Sequence, residues 1–205
     1  MLTARLAALP IILGSGSQTR QAILRECGLK FDIIKPDIDE KAIRFDDPSQ
    51  LVLALGVAKA AAILERTRGT DALIITADQV VVAMGGRILE KPESEAEARE
   101  FISSYATQAP QTVGSCVVTD AVSGQQWSAV DTATVHFRPI PESTVDALIA
   151  EGGVFSCAGG LMVEHALVQP HVERMDGSMD SIMGLCKSTL TRLLDEACSA
   201  REDEG

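Results

Sequence analysis

Leu73-Ile-Ile-Thr-Ala-Asp-Gln-Val-Val-Val82 is a β-type run with Thr76, Asp78 and Gln79 set among aliphatic and β-branched residues. A strand this apolar is buried, so an ionised Asp78 inside it needs a partner or a chemical role. On its N-terminal side, Leu51, Leu55, Ala58, Ala62 and Ile63 recur at three- and four-residue steps between Pro48 and about Arg66. That spacing predicts an amphipathic helix with Lys59 near its apolar stripe. Further back, Pro10-Ile-Ile-Leu13 is closed by Gly14-Ser-Gly-Ser17, and Ala22, Ile23, Leu24 and Cys27 then fall at helical spacing up to Gly28. The order is strand, small-residue loop, helix. Phe31 to Ile34 reads as a second strand, followed by the acidic turn Pro36-Asp-Ile-Asp-Glu40.

On the C-terminal side, Gly85-Gly86 supplies a hairpin turn into Arg87 to Leu89, and Ser94 with Glu97 forms a capping-box pattern for a helix reaching about Ser104. Thr112 to Thr119 and Trp127 to Phe137 are β-type segments joined by a Ser123-Gly124 turn and therefore antiparallel; Pro141 to Ile149 and Lys187 to Cys198 read as helices. Early strand–helix alternation with later hairpins predicts an α/β or α+β fold, a mixed central sheet flanked by helices rather than a purely parallel one. With no repeat or Pro/Gly/Ser linker, residues 1–205 read as a single domain, with 201–205 as a flexible charged tail.

Lys and Arg number 18 against 29 Asp and Glu, a net charge of −11 that would repel a nucleic-acid polymer but leaves a small phosphate ligand open. Hydrophobic residues at 46% with aromatics at 3% give an aliphatic core and exclude disorder as the main state. No apolar run is expected to reach the ~18–20 residues of a bilayer span, and the opening MLTARLAALP is too short for a signal peptide. The expectation is a cytoplasmic protein without a membrane partner. The five cysteines, at 27, 116, 157, 186 and 198, include no CxxC pair and read as reduced, buried thiols.

Gly14-Ser-Gly-Ser-Gln-Thr-Arg20 reads as a turn with an N-cap or as an anion cradle in which Arg20 adds a bidentate contact. It lacks both the P-loop and the dinucleotide glycine patterns. Asp37, Asp39 and Glu40 read as a solvated turn or as ligands for a hard cation such as Mg²⁺. Lys59 and Lys91, each alone, read as snorkelling surface cations. Neither His spacing nor GxSxG supports a zinc site or a serine hydrolase.

As a series these segments resemble the Maf family of nucleoside triphosphate pyrophosphatases over nearly the whole chain. The resemblance rests on Ile11-Ile-Leu-Gly-Ser-Gly-Ser-Gln-Thr-Arg20, Pro36-Asp-Ile-Asp-Glu-Lys-Ala42, Ala58-Lys-Ala60, Thr76-Ala-Asp-Gln-Val80, Glu90-Lys-Pro92, Cys157-Ala-Gly159 and Met183-Gly-Leu185. It implies an elongated, two-lobed, ITPase-like fold with a deep cleft, commonly a homodimer. It also implies hydrolysis of a nucleoside triphosphate between its α and β phosphates, with help from a divalent metal, Mg²⁺ or Mn²⁺. By position, Ser15 and Arg20 would hold phosphate, Lys59 and Lys91 would neutralise the triphosphate, Glu40 and Asp78 would bind the metal, and Asp78 would be the general base.

Departures from the commonest bacterial pattern include Gly-Ser-Gln-Thr in the first loop and Cys186 after Gly-Leu. Gln79 after Asp78, and Glu164 before His165, are similar to the branch acting on 7-methyl-GTP; Thr19 replaces the bulky aromatic seen there. A carboxylate at 164 can accept from guanine N1–H and its exocyclic amine, whereas an amide suits a pyrimidine edge. The alternatives are a dTTP/UTP-type or ITP-type enzyme, or a nucleotide-binding cell-division regulator without catalysis.

Overall fold

The computed structural model describes residues 9–83 and 85–203; the N-terminal stretch judged against a signal peptide lies largely outside them. The chain forms two compact units, one of residues 1–79, 114–131 and 183–205, the other of 80–113 and 132–182. Three of the four boundaries fall inside strands and the fourth directly after a short helix that ends at Ile182, none in a composition-biased linker, which is why composition gave no sign of them.

The first unit opens with β1 (Ile11–Leu13), the Gly14–Ser17 loop and α1 (Gln18–Glu26), the strand–loop–helix expected. Ser17 caps α1 by accepting from the Arg20 N–H, and Gly28, at φ 74°, ends it with its N–H donating to Arg25 O. β1 lies between β2 (Asp32–Ile33) and β3 (Leu73–Val82), parallel to both, with Leu13 opposite Ile33 on one side and Ile75 on the other. The second strand is shorter than the apolar run suggested. Parallel pairing sends the loop after β1, the loop after β2 and the Asp78 end of β3 to one edge of the sheet, where α/β folds place their ligands.

Asp47 caps α2 (Pro48–Thr67), with Pro48 in the first turn. At 20 residues it is long and apolar enough to cross a bilayer, contrary to expectation, yet Val52, Leu55, Ala60 and Ile63 are buried in this unit. Successive residues of β3 divide between two cores. Leu73, Ile75 and Ala77 join Leu13, Leu24 and Leu190, while Ile74 packs with Ile12 and Ile63. Helix α6 (Lys187–Asp203), numbered after the helices described below, continues through Asp203, so a tail beginning at Arg201 is not what forms. Arg201 instead pairs with Asp71 (2.6 Å) and Asp120 (2.5 Å) and donates to Ala72 O, which fixes the last turn.

In the second unit the end of β3 pairs antiparallel with β4 (Ile88–Leu89), as the Gly85-Gly86 turn predicted. Ser94 accepts from Glu97 N–H at the start of α3 (Glu95–Ser104), but Glu97 reaches back to Glu93 N–H, one residue before the cap. β5 (Gln111–Asp120) and β6 (Gln126–Phe137) are neighbours, joined by a turn too short for anything but antiparallel pairing. β6 also pairs antiparallel with β7 (Val172–Asp176), a strand the sequence reading missed because its side chains are mostly polar and exposed. α4 (Glu142–Glu151) and the short α5 (Met179–Ile182) complete this unit, whose core gathers Phe101, Tyr105, Phe137, Leu148 and Val163. The hydrogen-bonded order is β2-β1-β3-β5-β6-β7 with β4 added to β3, a mixed sheet flanked by helices.

Candidate active site

The carboxylate in β3 is explained by the helix above it. Thr76 and Asp78, two residues apart, share a face of the strand, and Val52, Gly56 and Lys59 share a face of α2. Thr76 donates to Gly56 O (2.8 Å), and Ser115 donates to Val52 O (2.6 Å) while accepting from the Asp78 N–H (3.2 Å). A Cβ at Gly56 would stand 2.9 Å from Ser115 Oγ and 3.1 Å from Val117, so only glycine lets helix and sheet approach this closely. The approach brings Lys59, 6% exposed, to Asp78, with Nζ 3.0 Å from Oδ2. Lys59 is thus a buried ion-pair partner and not a snorkelling cation. Asp78 Oδ1 accepts from the Gln79 N–H (2.8 Å), so both carboxylate oxygens are held.

Glu40 is the second carboxylate on Lys59, its Oε1 also 3.0 Å from Nζ. Within the acidic loop the roles divide. Asp39 caps the short Glu40–Ala42 turn by accepting from Lys41 N–H, Asp37 is exposed, and Glu40 alone reaches the lysine. Among the described residues no group of three or more His, Cys, Asp or Glu side chains could hold a metal. Two carboxylates converging on one ammonium nevertheless fit a Mg²⁺-type ion, which completes its shell with water and phosphate oxygens instead of an all-protein cage.

On the same edge Arg20 is fixed from two sides: Nε donates to Gly184 O (2.9 Å) and Nη1 to Ser15 Oγ (3.3 Å). Burial pushes its guanidinium below the ordinary arginine value while Asp78 and Glu40 pull the other way. It remains a cation. Thr19 bonds Ser17 Oγ (2.7 Å) and so belongs to the helix cap. Gln79 lies against Gly184, where a Cβ would fall 2.4 Å from its Oε1 and 3.3 Å from Arg20 Nε; at φ 112° that position suits glycine alone.

The structure therefore brings Ser15, Arg20, Glu40, Lys59, Asp78 and Gln79 together in the first unit. Lys91 and Glu164 belong to the second, where both act on the Cys157 thiol. Burial pushes that thiol up to about 11, Glu164 adding to the rise and Lys91 opposing it. Cys157 therefore stays a neutral thiol. Cys116 and Cys198 are buried as expected, while Cys27, Cys157 and Cys186 are only partly so. Gly159 donates to Glu90 O (3.1 Å) and its carbonyl accepts from Tyr105 Oη, which ties the Cys157–Gly160 turn to the Glu90-Lys-Pro92 segment.

Sequence reasoning assigned no role to Gly56, Ser115 or Gly184. Gly56 had a signal, since an isolated glycine within a helical pattern marks close packing. Gly184 lay within the Met183-Gly-Leu185 motif, which gave it no role, and Ser115 had no signal, because its partners Val52 and Asp78 lie far away along the chain.

With this geometry in hand, similarity to known proteins is informative. The "7-methyl-GTP pyrophosphatase" of Dictyostelium discoideum is 39% identical over 193 residues, covering 91% of this chain and 96% of that protein. The "7-methyl-GTP pyrophosphatase" of Alkalilimnicola ehrlichii is 36% identical over 187 residues, covering 91% and 90%. The "dTTP/UTP pyrophosphatase" of Deinococcus radiodurans is 34% identical over 185 residues, covering 90% and 91%. A family model described as Maf-like protein matches residues 10–197, and the chain belongs to that family.

Proposed function

We propose that this protein is a nucleoside triphosphate pyrophosphatase that hydrolyses the bond between the α and β phosphates, with 7-methyl-GTP as its substrate. The observation that carries the chemistry is the Glu40–Lys59–Asp78 contact beside Arg20, a held carboxylate next to fixed cations. Ser15 and the N–H groups opening α1 receive phosphate oxygens, and Arg20 adds a forked, charge-assisted contact. Asp78 orients a water and takes its proton as the water oxygen bonds to one phosphorus of the α–β anhydride and the bridging oxygen leaves with the other, giving a nucleoside monophosphate and pyrophosphate. Lys59 keeps Asp78 in place and offsets charge on the phosphoryl oxygens.

Glu40 and Asp78 are the residues that would hold a divalent cation, and such an ion, when bound, supplies positive charge to the phosphate oxygens and acidifies bound water. The choice of 7-methyl-GTP draws support from relatives bearing that name, the Dictyostelium discoideum and Alkalilimnicola ehrlichii proteins among them, and from Gln79 and Glu164.

The test is pyrophosphate release from 7-methyl-GTP, UTP, dTTP, CTP and ITP, each with Mg²⁺, with Mn²⁺ and with chelator. The expected result is release that is fastest from 7-methyl-GTP and is lost with chelator. No pyrophosphate from any substrate overturns the activity, and undiminished release in chelator removes the metal.

A further inference from the structure

Arg20 and Lys59 stand against Asp78 and Glu40, and Lys59 touches both carboxylates, so these four side chains carry no net positive charge for a polyphosphate. Building on the function proposed above, we propose that Lys35 is a further phosphate-binding residue, its ammonium supplying positive charge at the Gly14–Ser17 loop.

The placement follows from strand pairing. Leu13 is in parallel register with Ile33, and the Ile34 N–H donates to Leu13 O (3.1 Å), so the chain leaving β2 runs beside the loop leaving β1. Arg66 Nη1 donates to Lys35 O (3.1 Å) and holds that backbone. The Lys35 stem lies across Gly16: a Cβ there would be 3.0 Å from Cε and 3.6 Å from both Cδ and Nζ. With no side chain of its own, Gly16 leaves the space that the Lys35 stem occupies.

The electrostatics need an anion. Lys35 is exposed and, among the described residues, engages no carboxylate in an ion pair. Its ammonium and the Arg20 guanidinium both stand at the N-terminal end of α1, where the helix dipole already favours negative charge and disfavours cations. A phosphate on the loop reverses that repulsion, because both cations and the free N–H groups then face the same negative oxygens.

The test compares wild type with Lys35→Ala, Lys35→Arg and Lys35→Glu in steady-state turnover of 7-methyl-GTP and in calorimetric binding of inorganic pyrophosphate. Lys35→Ala is expected to raise KM about tenfold and weaken pyrophosphate binding alike with kcat within about twofold, since a contact made equally in ground and transition states acts on KM. Lys35→Glu should be worse, and Lys35→Arg should recover most of the loss. Unchanged KM and pyrophosphate affinity in Lys35→Ala, or a loss confined to kcat, overturns the assignment. If wild type hydrolyses no nucleotide, the proposed function fails while pyrophosphate binding still decides Lys35: weaker binding in Lys35→Ala sustains it, equal binding overturns it. Failure of pyrophosphate to bind wild type overturns it as well.

Discussion

The two units of this chain use their interiors differently. Among the described residues, Ser15, Gln21, Lys59, Thr67, Thr76, Ser115, Thr119 and Asp120 are the buried polar ones of the first, Thr112 and Ser181 those of the second. The second instead packs Phe101, Tyr105 and Phe137, with the Tyr105 and Phe137 rings stacked 5.9 Å apart. One interior holds charge in fixed positions by hydrogen bonds; the other holds shape by apolar contact. Hydroxyls from Thr76 and Ser115 tie α2 to the sheet, and that docking carries Lys59 to its carboxylates.

If that contrast is real, removing Lys59 should have the largest effect. Lys59→Met leaves the Asp78 carboxylate without its ammonium partner in a poorly solvated place and should destabilise the protein by roughly 3 kcal/mol, the scale of a broken buried pair, with turnover lost too. Urea unfolding measures it, and a midpoint equal to wild type would mean the pair carries no structural weight. Asp78→Asn should behave differently, since Lys59 keeps Glu40 as a partner. Turnover should fall at least ~10²-fold, the scale of a lost general base, with the unfolding midpoint nearly unchanged. Unchanged turnover would take Asp78 out of the mechanism.

In the second unit, Gly159→Ala tests shape. Its φ is 72°, and a Cβ would meet Tyr105 Oη at 2.8 Å and Val81 Cγ1 at 2.9 Å, so a loss of about 1–3 kcal/mol is expected from overpacking. Pyrophosphate affinity, assigned to the first unit, should stay at the wild-type value in calorimetry; a parallel drop would blur the division. The smallest effect is expected from Glu164→Gln. The kcat/KM ratio of 7-methyl-GTP to UTP should fall about tenfold, as for one altered hydrogen-bond partner, and a constant ratio would remove Glu164 from base selection.

Residues whose role follows from local pattern were legible in the sequence. Period and caps located β1, α1, α2, β3 and the β3–β4 turn, and a lone carboxylate in an apolar strand singled out Asp78 before any partner was known. What local pattern cannot carry is register. Asp37, Asp39 and Glu40 are equivalent by composition, and only the fold shows that Glu40 alone reaches Lys59. Lys35 looks like any surface lysine until parallel pairing sets it over Gly16. β7 escaped notice because a polar edge strand has no apolar alternation to read.

The hydrogen bond from Arg20 to Gly184 spans 164 positions of sequence. During synthesis, when the N-terminal part of a chain emerges first, the arginine leaves the ribosome long before the carbonyl that orients it. A nascent chain can therefore build β1 and α1 early but cannot set its guanidinium until Gly184 has emerged. The final orientation of this arginine is thereby tied to the arrival of a segment made 164 residues later.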